Sequence, residues 1–413
     1  RPLDYKLIHN NVAPYCVGSI SYSEGTNDDL NKFLWSDQDW DIKKSVAESM
    51  KDYARFFFGP EFAETGALAL SALEENHRGS AISNTEVQQT LWKWQALEKE
   101  ASPTLLQNPR FQMGLLRAVY DAYTQERLIY ETNLEREARE VLHSVMQSGN
   151  QEDIPKVYTI LERGWKEPVR QDLKSKCLEL ADALFESIGA QLTIKKHGGQ
   201  SGRGNFIDLI QYPLTEAPWL LQALKSTKHL TNKEDISKAI FKILHRTDPG
   251  PGGFYDHFGD PKSWRRVFQA ADWATDPGAL KSIRTGYGTH LQGESYTIDI
   301  PEVAVKVSAT PKAWNSQVEA LYDVPLRIKY EDLDPQAHYR MRISYTGRFK
   351  SSVKLKSDDG VILHDHVRVD QNPFQEINIP HAVTRDGHVE FEWSCLEFER
   401  GVQVSEIWLE KIK

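Results

Sequence analysis

Between about Ile42 and Leu244 the apolar residues recur every three or four positions, the period of an amphipathic helix. Val46, Met50, Tyr53 and Phe57 form one such stripe, which Gly59-Pro60 ends. Phe62, Ala69, Leu70 and Leu73 form the next, ending at His77-Arg78-Gly79. Asn84 stands as the cap of a third, carried by Val87, Leu91, Trp94 and Leu97 and broken at Ser102-Pro103. The longest stripe starts at Pro109, a residue suited to a first helical turn, and runs through Met113, Leu116, Tyr120 and Tyr123 to Met146. A helix of that length spans roughly 55 Å at about 1.5 Å per residue. Further helices are predicted over 154–163, 169–188, 219–224 and 233–244, with 195–208 as a polar, Gly-rich loop.

From about Tyr296 the period changes to two. Leu326–Tyr330, Tyr339–Tyr345 and Val389–Trp393 alternate strictly, and Ser357-Asp358-Asp359-Gly360 and Arg385-Asp386-Gly387 supply turns. Short strands about ten residues apart predict an antiparallel β-sandwich. Its core faces are expected to carry Leu326, Ile328, Tyr330, Phe391, Trp393, Ile407 and Leu409. The run Pro249-Gly250-Pro251-Gly252-Gly253 ends the helical pattern and opens a connector.

The N-terminal residues follow neither pattern. Val17-Gly18-Ser19-Ile20-Ser21 reads as a short buried strand. It leads into Tyr22-Ser23-Glu24-Gly25-Thr26-Asn27-Asp28-Asp29-Leu30-Asn31-Lys32, dense in ionisable and amide side chains. Polar groups at the C-terminal end of a parallel strand are where α/β barrels and open α/β sheets place their chemistry. The chain opens on Arg1 with almost no sheet before that strand, so it is expected to be a C-terminal piece or a processed product. The expected fold is therefore multidomain. Residues 1–40 supply the last strand and active-site loop of an incomplete α/β domain, read as a barrel. An all-α helical domain follows over 41–248, a Gly/Pro-rich connector over 249–294, and the β-sandwich over 295–413.

Composition narrows the classes. A chain of 413 residues with 26% charged and 40% hydrophobic residues is globular rather than disordered. A net charge of −9 without a Lys/Arg cluster argues against nucleic acid as a partner. No apolar run approaches the ~20 residues of a membrane span. Cys16, Cys177 and Cys395 lie far apart and read as free thiols, with no zinc spacing. Eleven tryptophans suit a protein that stacks on sugar rings, and equally one with a large core.

Glu24 and Asp29 are the candidate catalytic carboxylates. Glycoside hydrolysis requires one protonated and one ionised carboxyl group across the scissile bond. Tyr22, Asp28, Asn31 and Lys32 are candidate substrate contacts, with helix capping as the plainer reading of the Asp/Asn set. Tyr255 and Asp256 follow a glycine-rich turn and are expected either to reach a substrate or to belong to a rigid connector. Arg117 and Asp121, four residues apart on the long helix, are expected to form a structural ion pair, as are Arg127 and Glu131. The alternative for these arginines is a clamp on an acidic sugar. His364-Asp365-His366 reads as a solvated strand face. No metal site and no cofactor are expected.

The order of barrel end, helices and sandwich resembles the C-terminal part of large bacterial multidomain glycoside hydrolases, the α-glucuronidases being one example. The local carriers are the 22–32 segment, Asn108-Pro109-Arg110-Phe111-Gln112, and Pro249 to Asp256. The last ~115 residues look like a galactose-binding-type jelly roll. The resemblance implies a carbohydrate-active enzyme acting on a poly- or oligosaccharide, with an extracytoplasmic location, periplasmic or secreted. Its partners would be a carbohydrate and the upstream part of the same protein or a partner chain completing the α/β domain, with a homo-oligomer possible in addition. The alternative is a non-catalytic glycan-binding or scaffold protein. The sandwich is expected to serve mainly in docking, because its strand-tip loops carry no Trp or Tyr platform.

Overall fold

A computed structural model describes residues 2–20, 28–268, 276, 280–288, 295–300 and 303–412. Among these the chain forms 13 α-helices and 13 strands, helices first and antiparallel sheets after. It divides into two compact units. One comprises Arg1–Glu137 with Thr159–Thr215, the other Ala138–Tyr158 with Glu216–Lys413.

The first unit is helical. It holds α1 (Pro2–Val12), α2 (Asp29–Trp40), α3 (Val46–Phe57), α4 (Ala63–Glu75), α5 (Glu86–Glu100) and α6 (Pro103–Leu106). The first part of α7 (Pro109–Ser148), most of α8 (Ile154–Lys166), α9 (Gln171–Ile188) and α10 (Ile194–His197) complete it. Ser45 starts α3 through a capping box, in which Glu48 N donates to Ser45 Oγ and Ser45 N donates to Glu48 Oε2. Gly189, at φ 70°, ends α9 in the left-handed region that glycine enters without strain. Tyr53, Trp94, Phe111, Tyr123 and Leu184 meet in one buried core. The buried pair Arg127–Glu131 ties α7 to the chain around 210. Arg127 donates to the carbonyls of Ile210 and Tyr212, and Glu131 accepts from Leu214 N. The region read as an open loop over 195–208 holds α10 and a short 3₁₀ turn, Phe206–Leu209.

The expected strand at 17–21 is not formed over residues 17–20, which are irregular; Ser21 lies outside the described residues. Val17 and Ile20 are exposed, and α1 precedes them instead of any sheet. A strand needs a neighbour to take its backbone N–H and C=O groups, and no described strand lies beside this one.

The second unit contains α11 (Ala217–Lys225), α12 (Lys233–Leu244), α13 (His381–Thr384) and every described strand. In chain order these are β1 (Phe254–His257), β2 (Arg284–Tyr287), β3 (Ser295–Ile300), β4 (Val303–Ser308), β5 (Ser316–Leu321), β6 (Leu326–Tyr330) and β7 (Tyr339–Ser344). They continue as β8 (Ser352–Ser357), β9 (Ile362–Arg368), β10 (Phe374–Ile379), β11 (Val389–Cys395), β12 (Gly401–Val404) and β13 (Glu406–Lys411). One sheet has the order β1-β13-β7-β10, a second β6-β11-β8-β9, and a third β12-β5-β2, with β3-β4 as a hairpin. The seven residues expected on core faces all have 0% exposure and lie in one cluster drawn from both four-stranded sheets. Such a core removes several hundred Å² of apolar surface from water, at about 25 cal/mol per Å².

The long segment of the second unit starts at Glu216, ahead of the expected boundary at 248. The segment carrying α11 and α12 belongs with the sandwich, and Arg246 gives the reason. It pairs with the fully buried Glu406 of β13 at 2.9 Å, and its carbonyl accepts from Trp408 Nε1. The stretch expected as a connector supplies two strands, β1 and β2. Among the described residues no helix is long and apolar enough to cross a membrane, and no three His, Cys, Asp or Glu side chains gather as metal ligands.

Candidate functional site

Of the two expected catalytic carboxylates, the structure describes Asp29. It lies in the first turn of α2, where unpaired backbone N–H groups favour a negative charge. Asp28 occupies the N-cap position, but its side chain does not cap the helix. Tyr53 of α3 donates to Asp29 Oδ2 at 2.7 Å. Arg110, in the first turn of α7, donates from Nε to Oδ2 at 2.7 Å and from Nη2 to Oδ1 at 3.3 Å, the two-pronged geometry that suits a carboxylate. Arg110 is itself held in place. Its backbone N–H donates to Asn108 Oδ1, Asn108 Nδ2 donates to the carbonyl of Phe57, and the guanidinium lies 4.0 Å over the Phe57 ring.

This setting fixes the charge state. Burial raises the Asp29 pKa, but the hydrogen bonds from Arg110 and Tyr53 and the charges of Arg110 and Lys32 outweigh it. The carboxyl group is held below its ordinary value. Burial first, and Asp29 second, push the Tyr53 hydroxyl well above its own ordinary value. Asp29 is thus an ionised acceptor at neutral pH and a poor proton donor. Its side chain keeps 38% exposure, so a ligand can reach it. Asn31 is half-buried and Lys32 exposed on the same helix. Tyr22 and Glu24 lie outside the described residues.

Tyr255 and Asp256 sit on β1, not on a loop. Asp256 is buried and paired at 2.9 Å with Arg266, whose guanidinium lies over the rings of Tyr330 and Phe254. Tyr255 donates its hydroxyl to Glu406 Oε1. Arg117 Nη2 lies 2.9 Å from Asp121 Oδ1, with Asn76 donating to the other oxygen and His77 Nε2 2.8 Å from the guanidinium. Arg117 is 38% exposed and the Asp121 side chain 9%, so the pair joins a half-exposed guanidinium to a carboxylate near the core.

One site went unread in the sequence. A cavity of about 520 Å³ in the second unit is lined by Trp219, Trp314, Phe374 and Trp408 together with Arg246, Arg342 and Glu376. Its floor is the outward face of the first sheet. Register places Trp408, Arg342 and Glu376 side by side across β13, β7 and β10. Trp314 and Phe374 close one wall with their rings 4.9 Å apart, and Arg342 stacks 4.7 Å over Trp408. Beneath them Glu406 accepts from Arg246, Tyr255 and Trp314 Nε1. The local signal was Trp408, an outward position of an alternating strand between Glu406 and Glu410.

No family model and no curated protein matches the sequence. Among solved structures the chain is similar to a family GH115 4-O-methyl-α-glucuronidase with specificity for decorated arabinogalactans, at 10% identity and a TM-score of 0.20. The match covers 92% of this chain and 44% of that one, so the chain spans less than half the length of the protein it matches.

Proposed function

We propose that this chain is the C-terminal region of a carbohydrate-active protein, a glycoside hydrolase that cleaves a poly- or oligosaccharide by carboxylate chemistry. The observation that supports this reading is the state of Asp29. Glycosidases need two carboxyl groups whose surroundings push their pKa values apart, one kept ionised and one kept protonated. The Arg110 fork and the Tyr53 hydroxyl suit Asp29 to the ionised role, as nucleophile, as base toward water, or as partner of the developing positive charge at the sugar ring. Glu24, on the same polar segment, is the proposed proton donor to the leaving oxygen. Tyr22, Asp28, Asn31 and Lys32 are proposed to hold sugar hydroxyls beside them.

Substitution in the intact protein tests the assignment. Glu24→Gln and Asp29→Asn should each lower turnover on a panel of polysaccharides by about 10²-fold or more, the usual scale for a lost acid or base. Glu24→Gln should leave the melting temperature unchanged. Turnover at the parent rate in both variants would remove the pair from the site.

A further inference from the structure

The geometry points to a second carbohydrate site: we infer that the cavity bounded by Trp219, Trp314, Phe374 and Trp408 binds an uncharged sugar. The inference does not rest on the hydrolase reading, because the cavity lies wholly within the second unit and its test measures binding, not turnover.

The first argument is shape and lining. About 520 Å³ lies within the ~300–1,000 Å³ of small-ligand sites and admits a mono- or disaccharide. Trp314 is half-buried and Phe374 is 51% exposed, so aromatic surface faces the cavity without being consumed by the core. A pyranose offers a C–H face to such rings and a rim of hydroxyls to polar groups beside them. The rim groups are present. Arg342 and Glu376 stand on adjacent strands of the floor, their side chains 37% and 59% exposed.

The second argument is charge, and it decides the class of sugar. Every ionised group on the lining already has a counter-charge within the protein. Arg246 pairs with Glu406, Arg342 Nη2 with Glu410 at 2.7 Å, and Glu376 with Arg340 at 3.1 Å. Neither guanidinium is left to be neutralised by a ligand carboxylate, and Glu376 repels one. Hydroxyls, which both donate and accept, fit the remaining capacity of Arg342 and Glu376.

The test is a titration of the full chain, followed by tryptophan fluorescence and by calorimetry. The probes are the methyl glycosides of glucose, galactose, xylose and arabinose, the neutral disaccharides built from them, and glucuronate as the charged control. The expected result is saturable millimolar-or-better binding of at least one neutral sugar, weaker by at least tenfold for glucuronate. Phe374→Ala changes an exposed side chain and should weaken the binding about tenfold or more while the protein stays folded. Trp219→Ala gives an independent second reading of the same wall. Three results would overturn the inference: no binding across the panel, binding indifferent to both variants, or preference for glucuronate.

Discussion

At the scale of residues, a buried carboxylate and a half-buried imidazole carry consequences that their neighbours in sequence do not suggest. Glu406 has 0% exposure and takes hydrogen bonds from Arg246, Tyr255 and Trp314. Its charge is balanced by a guanidinium of which 20% is exposed. Glu406→Gln would keep the shape and strand Arg246, so a loss of ~3–5 kcal/mol is expected from denaturant unfolding. Pairing it with Arg246→Met should restore part of that loss, because the two positions share one interaction. A loss below ~1 kcal/mol would show that water relieves the charge.

His364 is the second. Trp393 Nε1 donates to the buried Tyr345 hydroxyl, which lies 2.8 Å from His364 Nε2, and His364 Nδ1 lies 2.9 Å from the carbonyl of Asp365. A carbonyl only accepts, so Nδ1 bears the hydrogen and Nε2 takes the one from Tyr345. The ring is half-buried, while Asp365 and His366 beside it are exposed. Burial lowers the His364 pKa below its ordinary value. The carbonyl and the charge of Asp365 offset this in part, and His366 adds to it. The unfolded chain therefore binds the proton more readily than the folded one. The stabilisation is complete above the ordinary histidine pKa of about 6.5 and is lost as pH falls below it through the folded value. Melting temperature should fall more steeply between about pH 7 and 5 in the parent than in His364→Gln. Equal slopes would contradict the lowered His364 pKa.

At the scale of elements, α5 and α7 meet at a glycine with no room for a side chain. A Cβ built on Gly114 would lie 2.1 Å from the ring of Trp94, which has 0% exposure. Alanine gains about 1 kcal/mol of helix propensity over glycine. Overpacking against a rigid ring costs roughly 1–3 kcal/mol, so Gly114→Ala should destabilise on balance. A raised melting temperature would mean that the two helices separate easily. This contact also marks what periodicity conveys. The spacing of Val87, Leu91, Trp94 and Leu97 identifies a helix and its buried face, but the need for glycine opposite Trp94 is a property of the pair.

The same limit explains the sandwich and the N-terminal segment. Alternation placed Leu326, Ile328, Tyr330, Phe391 and Trp393 on the core because a strand has only two faces. It carried no information about what covers the outward face. Trp219, Trp314, Phe374 and Trp408 come from four separated parts of the chain and meet only after folding. The composition of the strand-tip loops therefore says nothing of an aromatic cavity on the sheet itself. Over 17–20 the pattern was short and rich in Gly and Ser, and a strand read from so few residues depends on a partner that sequence does not name. Asp29 was legible from the density of polar groups around it. Its charge state was not, since Tyr53 and Arg110 lie on other helices.

At the scale of the whole molecule, the proposed chemistry and the proposed recognition fall to different parts of one chain. Asp29 with Tyr53 and Arg110 belongs to the first unit and the aromatic cavity to the second. The two can be lost independently, by Asp29→Asn in one and Phe374→Ala in the other. Asp29 is proposed to work as the ionised member of a carboxylate pair. That role is tested most directly by the pH dependence of reducing-end release by the intact protein from a polysaccharide panel. Activity is expected on at least one polysaccharide, with the acid limb of the rate lying below the ordinary carboxylate range because Arg110 and Tyr53 hold Asp29 ionised. Glu24→Gln should remove the alkaline limb together with most of the rate. No reducing ends from any polysaccharide, or an acid limb that Asp29→Asn leaves in place, would contradict it.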